Sequence, residues 1–273
     1  MALQIASLNS GSNGNCYFIG NGEEAVLIDA GISCKETEIR LQRLGINIRT
    51  IKAIFISHEH SDHIKGVETL SSKYQLPVYI TDHTHNNGRL NLKNDLKNNF
   101  TAHQPCCIGK LKITAFPKIH DAIDPHSFVV EDEQVKIGVF TDIGAVCSET
   151  IRYFRQCHAV FLEANYDEDM LRNGNYPYYL KKRISDGKGH LSNMQAVELF
   201  TKYRSRKLSH LFLSHLSKQN NCPILASDLF QRHAGSTQVI VASRERESTL
   251  FRIGKPVRTL KPFPASNQLN LFV

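Results

Sequence analysis

Five apolar runs in this chain stop at or just before a carboxylate or a histidine, and that repetition restricts the fold more than any other feature. Residues 25–28 run into Asp29, 54–57 into His58, 135–140 into Thr141 and Asp142, 159–162 into Glu163, and 210–214 into His215. Each run is short and rich in β-branched or aromatic side chains, the signature of a buried strand. A charged group closing such a strand needs hydrogen-bond partners, because leaving it unpaired in an apolar setting is costly. Helical patterns alternate with the strands, at 33–44 (ending at Gly45), from Asp62 on, from Ser148 on, and at 223–233. Ser192 and Gln195 stand as a capping box before a further helix carrying Ala196, Leu199, Phe200 and Tyr203. Two sheets packed face to face, with helices outside, would bring all these strand ends to one edge.

The densest strand end is His58-Glu59-His60-Ser61-Asp62-His63. The strand 54–57 precedes it, and Ile64, Val67, Leu70 and Tyr74 follow at helical spacing. His58 and His60, two apart in extended backbone, point the same way, whereas Asp62 and His63 open the helix and approach from another side. Two directions of approach predict two divalent metal ions. Imidazole suits zinc, manganese or iron, and a carboxylate can bridge ions or orient a water.

Composition narrows the setting. The chain of 273 residues is 41% hydrophobic and 22% charged, ordinary for a globular protein, and no apolar run approaches the roughly 18 residues of a membrane helix. Residues 1–10 lack a basic start followed by a long apolar segment, so no signal peptide is expected and the cytoplasm is the expected location. Seven scattered cysteines without a C-x-x-C pair predict reduced thiols. A net charge of +7 favours a polyanion as substrate or partner.

Further strands are expected at 3–8, 16–19, 77–80, 101–104, 111–117, 126–130, 238–242 and 249–253, and a polar surface segment at 82–98. The Gly/Ser/Asn loop 9–15 can turn backbone N–H groups towards an anion, which makes Asn15 a candidate substrate contact. Lys181, Lys182 and Arg183, interleaved with Tyr176, Tyr178 and Tyr179, can track a nucleic-acid backbone and stack an end base. One domain is expected over 1–253, followed by a tail, 254–273.

The motif His58-x-His60-x-Asp62-His63, the later His120, the strand-closing Asp142 and the final His215 together resemble the metallo-β-lactamase superfamily. That resemblance implies an α/β (α+β) fold, a four-layer αββα sandwich with ligands along one edge. It implies His58, His60 and His120 as ligands of a first metal, Asp62, His63 and His215 as ligands of a second, Asp142 as the bridging carboxylate, and Asp29 as structural support. Antibiotic-hydrolysing members of the main zinc class have cysteine where Asp142 stands, and flavin-diiron members have glutamate where His60 stands. The 72 residues from Asp142 to His215 leave no room for the domain inserted in the RNA-cleaving β-CASP branch.

Finer motifs, among them Ser10-Gly11-Ser12-x-Gly14-Asn15, Glu163-Ala164-Asn165-Tyr166-Asp167, Gly189-His190-Leu191-Ser192-Asn193 and Ser214-His215-Leu216-Ser217, resemble the bacterial YycJ/WalJ-type metallohydrolases. This resemblance implies a 5′-to-3′ exonuclease acting on a duplex DNA end in replication or repair. Asp62 is then the general base, and His190, oriented by Glu163, contacts the scissile phosphate or protonates the leaving oxygen. Hydrolysis of RNA or of a small cyclic phosphate on the same site is the alternative. A non-enzymatic, clamp-associated regulatory module is the other, disfavoured because structural zinc has four protein ligands and no paired carboxylate site. In the tail, Gln268-Leu269-Asn270-Leu271-Phe272 resembles the peptide by which bacterial replication proteins dock on the polymerase sliding clamp. Its leucines and phenylalanine suit an apolar groove.

Overall fold

Alternation along the strands assigns each side chain to one of two apolar layers, and the computed structural model, which describes residues 2–254, shows both. The chain forms β1 (Leu3–Asn9), β2 (Cys16–Gly20), β3 (Ala25–Ile28), β4 (Ile51–Phe55), β5 (Val78–Tyr79) and β6 (Lys97–Asn98). It then forms β7 (Pro105–Ile108), β8 (Leu111–Pro117), β9 (His126–Asp132), β10 (Val135–Phe140), β11 (Ala159–Glu163), β12 (His210–Ser214) and β13 (Gln238–Val241). The last strand, β14 (Phe251–Ile253), returns to the edge of the first sheet, whose order is β14-β1-β2-β3-β4-β5-β6. The second sheet runs β13-β12-β11-β10-β9-β8-β7.

Leu3, Ile5, Val26, Ile28, Ala53 and Phe55 face inward from the first sheet, against Ile113, Phe128, Ile137, Val139, Phe161 and Phe212 of the second. The intervening residues face outward. Ala6, Leu8, Leu27 and Ile54 meet Leu41 of α1 (Cys34–Arg43) and, beyond the short α2 (Ser61–Ile64), Val67 and Leu70 of α3 (Val67–Tyr74). After α4 (Asp82–Asn87) come the helices of the other face. Val160, Leu162, Leu211 and Leu213 pack under Phe154 of α5 (Ser148–Phe154) and, past α6 (Glu168–Asn173) and α7 (Tyr178–Ser185), under Phe200 of α8 (Asn193–Tyr203) and Phe230 of α9 (Pro223–Gln231). This is the αββα order expected. Both faces of each sheet are covered, which is why the strands read as continuous apolar runs.

Direction places the site. β3–β4 and β10–β11–β12 pair in parallel, and β8 runs with β10 because β9 is antiparallel to both. Their C-terminal ends therefore share one edge. The capping box forms as expected, with Ser192 and Gln195 bonded reciprocally.

The strand expected at 101–104 is instead a turn. His103 takes a left-handed φ of 67°, and the strand begins at Pro105. A proline opening an edge strand loses no ladder hydrogen bond. The polar segment 82–98 lies at the surface as expected, exposed or half-buried except at Thr84 and Leu96, and carries a short helix and an edge strand. The tail residues Gln268, Leu269, Leu271 and Phe272 lie outside the described residues.

Candidate metal centre

Three non-glycine residues directly behind or one past a strand, Asp29, Asp142 and His215, have left-handed backbone, with φ of 59°, 55° and 56°. Aspartate and histidine are among the types that tolerate this region, at a cost of about 1–3 kcal/mol each. The turn swings each side chain across the sheet edge towards the others.

Three groups of ligand atoms converge, the third of which, Asp142, Glu163, His190 and His215, shares Asp142 and His215 with the second. His58 Nε2 lies 3.1 Å from His60 Nδ1, which lies 3.4 Å from His120 Nε2, so three ring nitrogens converge. In the second, His63 Nε2 stands 3.2 Å from Asp142 Oδ2 and 3.6 Å from Asp62 Oδ2, and His215 Nε2 stands 3.5 Å from Asp62 Oδ2. The rings of His58 and His63, 4.0 Å apart, connect the first two.

Behind these atoms, the other ring nitrogen of four histidines is engaged, which sets tautomer and orientation. His58 Nδ1 meets Ser57 Oγ at 2.8 Å, His63 Nδ1 meets Asp29 Oδ2 at 2.7 Å, His120 Nδ1 meets the Gly189 carbonyl at 2.9 Å, and His215 Nδ1 meets Glu163 Oε1 at 2.9 Å. Asp29 also accepts from the Ser57 amide and hydroxyl, tying the end of β3 to the turn after β4. Glu163 Oε1 additionally holds His190 Nδ1 at 2.8 Å, so His190 is turned by Glu163 and its Nε2 is left for the cavity, while Ser192 does the capping.

The charges divide the clusters. Burial strips water from His58, His60 and His120 and favours neutral rings, with His120 pushed down to about 4. Burial acts the same way on His63, yet Asp142 and Asp29 outweigh it and raise the ring to about 10. His215 rises well above its usual value against the same burial, through Asp142, Asp62 and Glu163. Burial opposes ionisation of Asp62 too, but His63 and His215 hold it at about 2. The first cluster is thus a set of neutral lone pairs, and the second stabilises positive charge between carboxylates. Two buried atoms there, Asp142 Oδ2 and His215 Nε2, have no hydrogen-bond partner. Neutral imidazoles, carboxylates and unsatisfied donor atoms suit divalent metal ions.

Of the other residues singled out, Asn15 is fully buried, and its amide lies 3.1 Å from both Asp62 Oδ2 and His63 Nε2. It stands beneath the site, not in the cavity wall where a substrate contact would be. Arg183 lines the cavity and pairs with Asp121 at 2.6 Å, whereas Lys181 and Lys182 line a separate groove. His126 meets the Asp124 carbonyl and packs on Phe100, away from the ligand atoms.

Sequence reading passed over Ser57, Asn165 and Lys118. Asn165 holds the His215 carbonyl at 2.7 Å, and buried Lys118 donates to the Thr141 carbonyl at 2.8 Å, joining the ends of β8 and β10. Ser57 adjoins the histidine motif and Asn165 lies within Glu163-Ala164-Asn165-Tyr166-Asp167, so each carries a signal of position; Lys118 carries none.

Gly31 shows how closely the turns pack, since a Cβ there would lie 1.7 Å from the Asp62 carbonyl oxygen. Gly31→Ala is expected to lower stability by about 1–3 kcal/mol, the usual cost of overpacking, and to weaken metal binding by displacing Asp62. Denaturant melts and metal titration of the variant check both.

Residues 24–215 match the family model of the β-lactamase superfamily domain. The exodeoxyribonuclease YycJ of Bacillus anthracis is 35% identical over 229 residues, 83% of this chain and 87% of that protein. The exodeoxyribonuclease WalJ of Streptococcus pneumoniae is 32% identical over 231 residues, 83% of this chain and 86% of the relative. In three dimensions the chain is similar to the metallo-β-lactamase fold protein YhfI of Bacillus subtilis, with a TM-score of 0.71 at 15% identity, covering 92% of this chain and 100% of the other.

Proposed function

We propose that this chain, which belongs to the metallo-β-lactamase superfamily and within it to the YycJ/WalJ branch, hydrolyses duplex DNA from a 5′ end in replication or repair. The observation that carries the reading is that members of both ligand clusters and His190, held from behind by Glu163, border one cavity of about 350 Å³, with His60, Asp62, Asp142, His190 and His215 in its wall.

In this proposal His58, His60 and His120 would hold one divalent ion, Asp62, His63 and His215 the second, and Asp142 would supply a further carboxylate ligand. Bound there, two divalent ions lower the pKa of a water and offset charge building on the phosphoryl oxygens. Five imidazoles suit zinc, and the carboxylates accommodate manganese or iron. The attacking water gives its proton to Asp62, whose side chain is 19% exposed at the cavity while Asn15 steadies it from below. As the water oxygen bonds to phosphorus, the bond to the leaving sugar oxygen breaks, and His190 supplies that oxygen with a proton. Asp29 takes no part in the transfer and keeps His63 oriented. Arg183, at the cavity rim, meets the phosphate of the bound strand.

Duplexes labelled at the 5′ or the 3′ terminus, incubated with zinc or manganese, test the reading. Labelled mononucleotide released first from the 5′ label is the expected result. Intact duplex beside degraded RNA or opened cyclic nucleotide would overturn it.

Work on DNA fits a cytoplasmic setting, as do seven unbridged cysteines. Among the described residues no helix is long and apolar enough to cross a membrane. Residues Gln268, Leu269, Leu271 and Phe272 supply the partner contact in this reading, docking as a short extended peptide on the sliding clamp. Deleting 268–273 is expected to abolish clamp binding, measured by surface plasmon resonance, and to leave hydrolysis of a short free duplex unchanged. Undiminished clamp affinity after the deletion rejects this partner.

A further inference from the structure

Helix α7 separates two cavities. Tyr176 before it and Leu180, Arg183 and Ile184 on it line the cavity of about 350 Å³ that holds the ligand clusters. Tyr178, Lys181, Lys182 and Ser185 line a second groove of about 500 Å³ together with Arg172. The second set falls at i, i+3, i+4 and i+7, which is one helix face, and the first falls on the opposite face. None of the residues of α7 is buried, and Tyr178 and Tyr179 are 80% and 74% exposed. A helix that contributes nothing to the core, yet shows two aromatic rings to solvent, is not explained by folding.

We propose that α7 is a wedge at the duplex end: the strand to be cut passes its Arg183 face into the metal cavity, and the complementary strand is drawn into the Arg172–Lys181–Lys182 groove on the other. This rests on the nuclease reading above and adds how a paired end reaches the site. A cavity of about 350 Å³ stands at the low end of small-ligand sites, roughly 300–1,000 Å³. It takes a terminal nucleotide of one strand, not a base pair with both backbones. The two strands must therefore part before the cut, as they do wherever an enzyme works on a nucleotide drawn out of the stack. A helix about 10–12 Å across with its side chains, set between the opened bases, leaves no room for base-pair hydrogen bonds of about 3 Å. The groove has the charge for a phosphate backbone, with Arg172, Lys181 and Lys182 against Glu168. Arg172 also pairs with Asp169, and Lys181 donates to the Arg172 carbonyl. The exposed rings of Tyr178 and Tyr179 offer faces on which opened bases stack.

The test compares the wild-type chain with a Lys181→Glu, Lys182→Glu double variant and with Tyr178→Ala, each loaded with the metal that supports activity. Substrates are a blunt duplex, the same duplex with its 5′ end unpaired, and the free 5′ strand. Digestion of the blunt duplex by the charge-reversed variant is expected to fall about tenfold, with its salt dependence flattened by between about 1 and 2 log units per decade. Tyr178→Ala is expected to slow the blunt duplex in the same direction. The free strand should be digested within about twofold of wild type, and the unpaired end should recover most of the lost rate. Lys181→Arg with Lys182→Arg should retain blunt-duplex activity, which separates charge from folding. Equal loss on all three substrates would mean that the groove tracks the cut strand, and an unaffected blunt duplex would mean that it holds no DNA; either overturns the wedge. So does a wild-type protein that digests duplex but not the free strand. A wild-type protein inactive on every substrate instead removes the nuclease reading itself.

Discussion

Asp142→Asn is expected to weaken divalent metal binding by roughly two to four orders of magnitude and to abolish phosphodiester hydrolysis at micromolar metal. The substitution keeps the shape of the side chain and removes its charge. Asp142 is almost wholly buried, 3.2 Å from His63 and 3.5 Å from His215. Burial works against its ionisation, and His215 and His63 nevertheless hold it well below the usual carboxylate range. Removing one member of such a buried charge set costs about 3–5 kcal/mol, and 1.4 kcal/mol is a factor of ten in affinity.

The metal-free protein gives a second readout. A depressed carboxyl pKa stabilises the fold above about pH 4 and loses that contribution as pH falls. A raised imidazole pKa stabilises below about pH 6.5, and for His63 the contribution fades as pH climbs towards about 10. Both contributions are complete only between about pH 4 and 6.5, so the variant's loss of melting temperature is expected to be largest there. Metal titration and melts across pH check the two halves. Unchanged metal affinity would remove Asp142 from the centre.

Why these residues could be read from sequence follows from where they sit. His58 to His63 are contiguous, so backbone periodicity alone orients them. Asp29, Asp142, Glu163 and His215 are distant, but each closes an apolar run, and parallel pairing carries strand ends to one edge. What could not be read depends on tertiary placement. Asn15 belongs to a polar loop, yet the Gly31 backbone and Asp62 close over it, so burial turns a candidate substrate contact into a support. Lys181, Lys182 and Arg183 are one basic run in the chain, but a helix sends successive side chains about 100° apart, and Arg183 enters the metal cavity while the lysines enter the groove behind it. Residues 101–104 look like a strand by composition, and the turn there is set by the proline that follows and by the sheet edge it opens.

His190→Ala is expected to lower turnover of duplex DNA by about 10²–10⁴-fold, the range for a positioned acid or base, while metal content stays at wild-type level. The separation follows from the geometry. His190 touches Glu163 at 2.8 Å and is 22% exposed to the cavity, and although its ring converges with Asp142, Glu163 and His215, the proposal assigns it to neither ligand set. Its Nδ1 is occupied by the carboxylate, so Nε2 is the nitrogen that can serve a leaving oxygen. If it serves as proton donor, the defect must depend on the leaving group. Bis-p-nitrophenyl phosphate, whose phenolate departs without protonation, should be hydrolysed by the variant within about tenfold of wild type, against the 10²–10⁴ range on DNA. An equal loss on both substrates would instead make His190 a phosphate contact. Glu163→Gln separates orientation from acid chemistry, because Glu163 Oε1 holds both His190 and His215. Its loss should therefore reach metal binding as well, by about 10–100-fold, as for other supporting carboxylates, and that is a signature His190→Ala should lack. If His190→Ala also loses metal, the histidine belongs to the ligand set and the acid must be sought elsewhere in the cavity wall.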